Sequence, residues 1–192
     1  MASEPEEFDT SRRAALNLSS INHTFATFKR IPGTEKALKA FQDLALGKTE
    51  KPLLLCYGGV GNGKTHLCEA LVIELNRRGI FTRYYTFGEI IRTLRRTMRD
   101  DSRISPSDLL ERYCQARTLV VDDVGMGGSG SEWEFGQLEE IVSERYRFHL
   151  LTVMTTNRDI KELPERVVSR FSDPAVATLV LNSGKDFRKN RA

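Results

Sequence analysis

Residues 53–66 read LLLCYGGVGNGKTH: an apolar run, a cluster of glycines, then a lysine and a threonine at once. The run 53–57 is short enough for a strand buried on both faces. THLCEALVIELNRRG (65–79) follows with a helical pattern, arginines in its last turn and Gly79 where a cap belongs. A strand, a glycine bend and a helix in direct succession leave few folds open. They predict a parallel sheet whose strands are joined by helical crossovers.

The rest of the chain keeps that alternation. TEKALKAFQDLALG (34–47) sets Ala37, Leu38, Phe41, Leu44 and Ala45 at helical spacing and stops at Gly47. FTRYYTF (81–87) has the aromatic and threonine content of a strand. GEIIRTLRRTMR (88–99) and SDLLERYCQA (107–116) are helical, with Ser107 as N-cap of the second. TLVVDD (118–123) is a strand ending in two acids, and SEWEFGQLEEIVSERYRF (131–148) a long amphipathic helix. LLTVMTTN (150–157) is a strand, LPERVVSRF (163–171) a short helix and AVATLVL (175–181) a last strand. Residues 1–20, rich in Ser, Glu and Pro, read as a flexible lead-in, and 21–192 as one α/β domain.

Composition excludes some function classes. No run of eighteen or more apolar residues occurs and the acidic start has no apolar core, so no membrane partner is expected. Cys56, Cys68 and Cys114 form no CxxC pair; an odd number of cysteines in apolar or helical patterns fits reduced, buried thiols and a cytoplasmic location. His23, His66 and His149 share no metal-ligand spacing. A net charge of +3 is too small to argue for a nucleic-acid partner, and only its distribution speaks to one.

Gly58 to Thr65 satisfies G-x-x-x-x-G-K-[ST]. Gly58, Gly59, Gly61 and Gly63, with Val60 and Asn62 between them, let successive N–H groups curl around a phosphate. The helix that starts there, running through His66, adds its positive end. Lys64 is predicted to reach the β- and γ-phosphates of a nucleoside triphosphate, and the Thr65 hydroxyl to take a place on Mg²⁺. A glycine-rich turn with an exposed lysine is the plainer alternative.

Asp122, at the carboxyl end of a buried strand, is placed to hold the Mg²⁺ through water, and Asp123 to orient or deprotonate an attacking water. Paired acids also occur at ordinary strand-to-turn junctions. Asn157 ends another strand, either as turn chemistry or as an amide that senses the γ-phosphate. Arg166 and Arg170 lie four apart on one helical face, a solvated basic face or an arginine finger for a neighbouring copy. Arg92, Arg95, Arg96 and Arg99 line one side of a helix opposite Ile91, Leu94 and Met98. That side is either solvated or a phosphate-tracking surface for single-stranded DNA.

The order of the P-loop, a strand ending in paired acids, a strand ending in Asn and then ERVVSRF resembles the AAA+ ATPases. Within them the chain is similar to the DnaC-type helicase loaders and the IstB-type transposition helpers. FATFKRIPGTEKALKAF, YGGVGNGKTHL, VVDDVG, EWEFGQLEEIVSERY and LLTVMTTN carry the resemblance, which runs from about residue 24 to the end. It implies a P-loop NTPase fold with a central parallel sheet flanked by helices and a lid domain that is short or absent. By position it implies Lys64 and Thr65 as Walker A, Asp122 and Asp123 as Walker B, Asn157 as sensor I and Arg170 as arginine finger with Arg166 beside it. Phe25 and Phe28 would border the adenine, and core packing is an equal reading of both rings. ATP and Mg²⁺ are the implied cofactors, and further copies of the chain, single-stranded DNA and a replicative helicase the implied partners.

Two departures matter. Many AAA+ proteins have Glu where this chain has Asp123, and the shorter arm implies slow hydrolysis. About twenty unpatterned residues precede the core where loaders carry a helicase-binding domain, so the expectation is either a trimmed ATPase domain or a partner held by other means. Arg188 is the one candidate for a sensor II arginine. The rival classes are a small P-loop kinase and a non-catalytic, nucleotide-gated adaptor.

Overall fold

The computed structural model of the chain describes residues 16–98, 104–125 and 131–187. Five strands, β1 (Leu53–Tyr57), β2 (Arg83–Thr86), β3 (Thr118–Val124), β4 (Leu151–Thr156) and β5 (Ala177–Leu181), form one sheet in the order β2-β3-β4-β1-β5. Every pairing is parallel. The helices among the described residues are α1 (Glu35–Ala45), α2 (Lys64–Arg77), α3 (Phe87–Thr97), α4 (Pro106–Gln115), α5 (Glu132–Arg147) and α6 (Glu165–Phe171). None of the described helices is long and apolar enough to cross a membrane.

The apolar runs form strands because both faces of the sheet are covered. Leu53, Leu55, Leu119, Val121 and Met154 face the layer of α3, α4, α5 and α6. Leu54, Cys56, Val120, Val153 and Val180 face α1 and α2. Each fully buried leucine or isoleucine contributes about 1.5–3 kcal/mol relative to exposure. The three cysteines are free and buried. Burial pushes the Cys56 thiol up to about 12 and the Cys114 thiol to about 11, so both act as inert packing groups.

Three local expectations are corrected. The N-cap of α4 is Ser105 rather than Ser107: Ser105 is extended, its Oγ accepts the Asp108 N–H at 3.1 Å, and Pro106 occupies the first helical turn. The expected lead-in ends sooner than residue 20, because Leu16 and Leu18 are buried in the core on the α1/α2 side and Ser19 N–H donates to Glu69 at 2.6 Å. Met98 is 56% exposed rather than packed with Ile91 and Leu94, since it falls after the last turn of α3.

Candidate functional site

β1 lies between β4 and β5, and at its end the glycine loop turns into α2. Gly63 caps that helix at φ 91°, a left-handed conformation, and a Cβ on it would lie 2.7 Å from the Phe28 ring. Only glycine fits. The Lys64 ammonium folds back along the loop, donating to Gly58 O at 2.8 Å, Gly59 O at 2.6 Å and Asn62 Oδ1 at 3.0 Å. Burial holds its pKa below the ordinary lysine value, with neighbouring Cys56 and Asp122 opposing that shift.

Beside the loop is a cleft of about 630 Å³, lined among others by Lys64, Thr65, Asp122, Asp123 and Asn157. The structure thus gathers the phosphate-loop, paired-acid and Asn157 predictions in one place. A bulge in β3 makes this possible. Val121 pairs with Met154 and Val124 with Thr156, so two residues, Asp122 and Asp123, stand opposite Thr155 alone. Asp123 takes φ 58° at the bulge. Both carboxylates therefore reach the cleft, which simple alternation along a strand forbids.

Their partners differ. Asp122, 2% exposed, accepts from the Tyr84 hydroxyl at 3.0 Å on one oxygen and from the Thr155 hydroxyl on the other. Burial first, and the Asp122 charge next, raise the Tyr84 pKa far above its usual range, so the phenol stays a donor. Thr155 Oγ1 also accepts the Asp123 N–H at 3.0 Å, and Asn157 Nδ2 donates to Asp123 Oδ1 at 2.6 Å. Tyr84 and Thr155 are site residues that sequence reading passed over. The threonine at the end of β4 was the available signal.

Also lining the cleft, Phe28 packs edge-on to His66 with centroids 5.3 Å apart, and His66 stacks on His23 at 4.5 Å. Nε2 of His66 donates to Thr24 O at 2.8 Å, and His23 Nδ1 meets the buried Glu69 carboxylate. Burial lowers the His66 pKa, which favours the neutral ring. Lys29 lies 5.0 Å from the Phe187 ring, and both line the cleft. Val60 lines the cleft too, while Phe25 packs against the core on the α1/α2 side and is not among the lining residues.

The predicted arginines lie elsewhere. The Arg170 guanidinium sits 4.6 Å over the Tyr146 ring, outside the cleft lining, and its Nε has no hydrogen-bond partner among the described residues. Arg166 is exposed, 3.9 Å from Glu139. On α3, Arg92 and Arg96 are exposed, whereas Arg95 pairs with the fully buried Glu134 at 2.7 Å. Of these arginines on α3, Arg95 thus has an acidic partner, which comes from α5. Arg99 and Arg188 lie outside the described residues.

The chain matches the model of the family described as IstB-like ATP binding protein over residues 11–183. It is similar to the chromosomal replication initiator protein DnaA of Limosilactobacillus reuteri, with 29% identity over 157 residues, 78% of this chain and 34% of that protein. The chain therefore spans about a third of the length of such curated relatives. Its fold resembles a replication initiator DnaA bound to AMPPCP and single-stranded DNA, with TM-score 0.70 and 21% identity, over 85% of this chain and 50% of the other. It also resembles the DnaC helicase loader, with TM-score 0.70 and 22% identity, over 85% of this chain and 98% of that one.

Proposed function

The chain belongs to the family of IstB-like ATP binding proteins and has the AAA+ P-loop fold, and from that premise we propose that it is a slow, DNA-stimulated cytoplasmic ATPase. It assembles with itself on single-stranded DNA and places a replicative helicase. One observation carries the shared-site part of this reading. Among the described residues, no arginine lines the cleft that holds Lys64, Asp122, Asp123 and Asn157. Phosphoryl transfer from a triphosphate develops charge that an arginine stabilises. Here Arg170 of a neighbouring copy supplies it, across a head-to-tail interface that builds a spiral or ring.

Thr65 and Asp122 offer the hydroxyl and carboxylate oxygens that Mg²⁺ takes, and Gly58, Gly61 and Gly63 of the loop beside them have no room for a side chain. Bound there, Mg²⁺ would supply neutralising charge to the β- and γ-phosphates. Asp122, already accepting two hydroxyl donors, would hold the ion beside Thr65. Asp123, with Asn157 on Oδ1, orients the attacking water and accepts its proton. Loss of the γ-phosphate removes what Lys64 and the neighbour's Arg170 both hold, and the copies separate.

The exposed Arg92 and Arg96 track DNA phosphates. Each phosphate of a single strand that an arginine no longer neutralises lowers the salt slope by about 0.7. Arg92→Ala combined with Arg96→Ala therefore reduces that slope by about 1.4 in a titration of affinity against salt. Arg95→Ala instead removes the ion-pair partner of the buried Glu134 and lowers the melting temperature.

The deciding experiment measures ATP turnover with and without single-stranded DNA, beside a pull-down against the replicative helicase. Turnover that rises several-fold on DNA, together with helicase capture, is the expected result. Capture of a transposase in its place assigns the IstB-type helper role to the same ATPase. Phosphate transfer to a small acceptor with no DNA response points to a kinase, and ATP binding without turnover to an adaptor; either overturns the proposal.

A further inference from the structure

The segment after β5 is fastened to the phosphate loop at more than one point. Asn182, fully buried, extends the pairing of β5 with β1 by donating its N–H to Tyr57 O at 2.8 Å. Its side-chain Nδ2 donates to Asn62 O at 3.1 Å, and Asn62 Nδ2 returns a bond to Asn182 O at 2.8 Å. Gly184 N–H holds Asn182 Oδ1 at 3.3 Å. Further along, Phe187 N–H donates to Gly61 O at 3.0 Å, and a Cβ on Gly61 would collide with the Asp186 carboxylate.

The bond to the Asn182 backbone carbonyl sets how the Asn62 side-chain amide points, and the Asn182 side chain, through Asn62 O, holds the stretch of loop backbone that carries it. With Nδ2 committed to the Asn182 carbonyl, Oδ1 is turned to the Lys64 ammonium at 3.0 Å. Flipping that amide would set an N–H₂ against an ammonium and an oxygen against a carbonyl. An ammonium has three N–H donors, and those of Lys64 go to Gly58 O, Gly59 O and Asn62 Oδ1. Any phosphate oxygen that Lys64 takes up is exchanged against one of these acceptors. The strength of the Asn62 hold therefore enters the affinity for the β- and γ-phosphates.

We propose that Asn182 is a positioning residue for Lys64, acting through Asn62, and that it couples the segment 182–187 to the phosphate loop. The proposal deepens the nucleotide-site reading above and rests on it. A pull on the segment past β5, from whatever it is attached to, reaches the lysine through one buried amide. Binding at the phosphates acts back on the segment by the same route, because linkage is reciprocal.

Asn182→Asp tests this with little change of shape. It replaces the Nδ2 donor by an oxygen facing Asn62 O, while the backbone carbonyl that holds Asn62 Nδ2 is kept. Asn182→Ala, which removes the donor without the repulsion, serves if the first variant is poorly folded. ATP and AMP affinities are measured for both variants, beside amine labelling of Lys64 read by mass spectrometry. We expect ATP affinity to fall about tenfold in Asn182→Asp with AMP affinity unchanged, as AMP lacks the phosphates Lys64 serves. Lys64, 5% exposed in the intact protein, should be labelled several-fold faster. Equal loss of ATP and AMP affinity, or unchanged ATP affinity and labelling, would overturn the proposal. Failure of the intact protein to bind ATP would instead sink the nucleotide reading, and the labelling still reports on the Asn182–Asn62–Lys64 link.

Discussion

Asp123→Asn lowers ATP turnover by at least about a hundredfold and leaves ATP affinity within about threefold, because positioned general bases contribute about 10²–10⁴. The two effects separate for structural reasons. Asp123 stands at φ 58° on the β3 bulge, and asparagine is one of the few residues that tolerates that backbone, so the bulge survives. The Asn side-chain oxygen still accepts from Asn157 Nδ2, which now bonds Asp123 Oδ1 at 2.6 Å. What disappears is the capacity to take a proton from water. Asp123→Ala is the less clean variant, since it combines that loss with a strained alanine costing about 1–2 kcal/mol. Steady-state turnover and equilibrium binding of a fluorescent ATP analogue, read on one preparation, check the split. Equal losses in both would mean that Asp123 serves binding.

Arg145→Leu destabilises the domain by about 3–5 kcal/mol, the range for breaking a buried polar network. Arg145 is fully buried on α5 and has no ion-pair partner among the described residues. It donates instead to Thr152 Oγ1 at 2.8 Å and to the carbonyls of Tyr113, Cys114, Ala116 and Leu151. Those carbonyls end α4 and open β4, so one guanidinium finishes a helix and ties it to the sheet. Burial lowers its pKa to about 10, still far above neutrality, and the charge is kept. Leucine fills much of the space and leaves the carbonyls without donors, each orphaned acceptor costing about 1–3 kcal/mol. A domain of this size loses about 2–4 °C per kcal/mol, so the melting temperature should fall by roughly 10 °C. A shift under about 2 °C would show that water replaces the guanidinium at low cost.

Elements whose physics is local were legible in the chain. The runs at 53–57 and 119–121 are apolar without a break because helices cover both faces, and that pattern announces a parallel sheet. The glycine loop was legible because its lysine and threonine sit at fixed spacing from the bend. Contacts across long sequence separations were not. Tyr84 reaches Asp122 across 38 residues, Thr155 reaches it across 33, and Asn182 meets Asn62 across 120. The bulge at Asp123 depends on the register of β4, which no reading of β3 supplies. Arg95 looked like its neighbours on α3 until α5 brought Glu134 beneath it. Ser105 was overlooked as a cap because Ser107 lies as near the apolar run, and only Pro106 separates the two readings.

The shared active site is tested most directly by mixing two inactive variants. Asp123→Asn subunits have a dead cleft and an intact Arg170, while Arg170→Ala subunits have an intact cleft and no finger. Alone, each turns over ATP far below the unaltered protein. Mixed in equal amounts on single-stranded DNA, a head-to-tail assembly places an intact cleft against an intact Arg170 at about a quarter of its interfaces. Turnover recovering to about a quarter of the unaltered rate is the predicted result. A mixture no more active than the average of its two components would contradict it, because each cleft would then depend on its own subunit's arginine or on none.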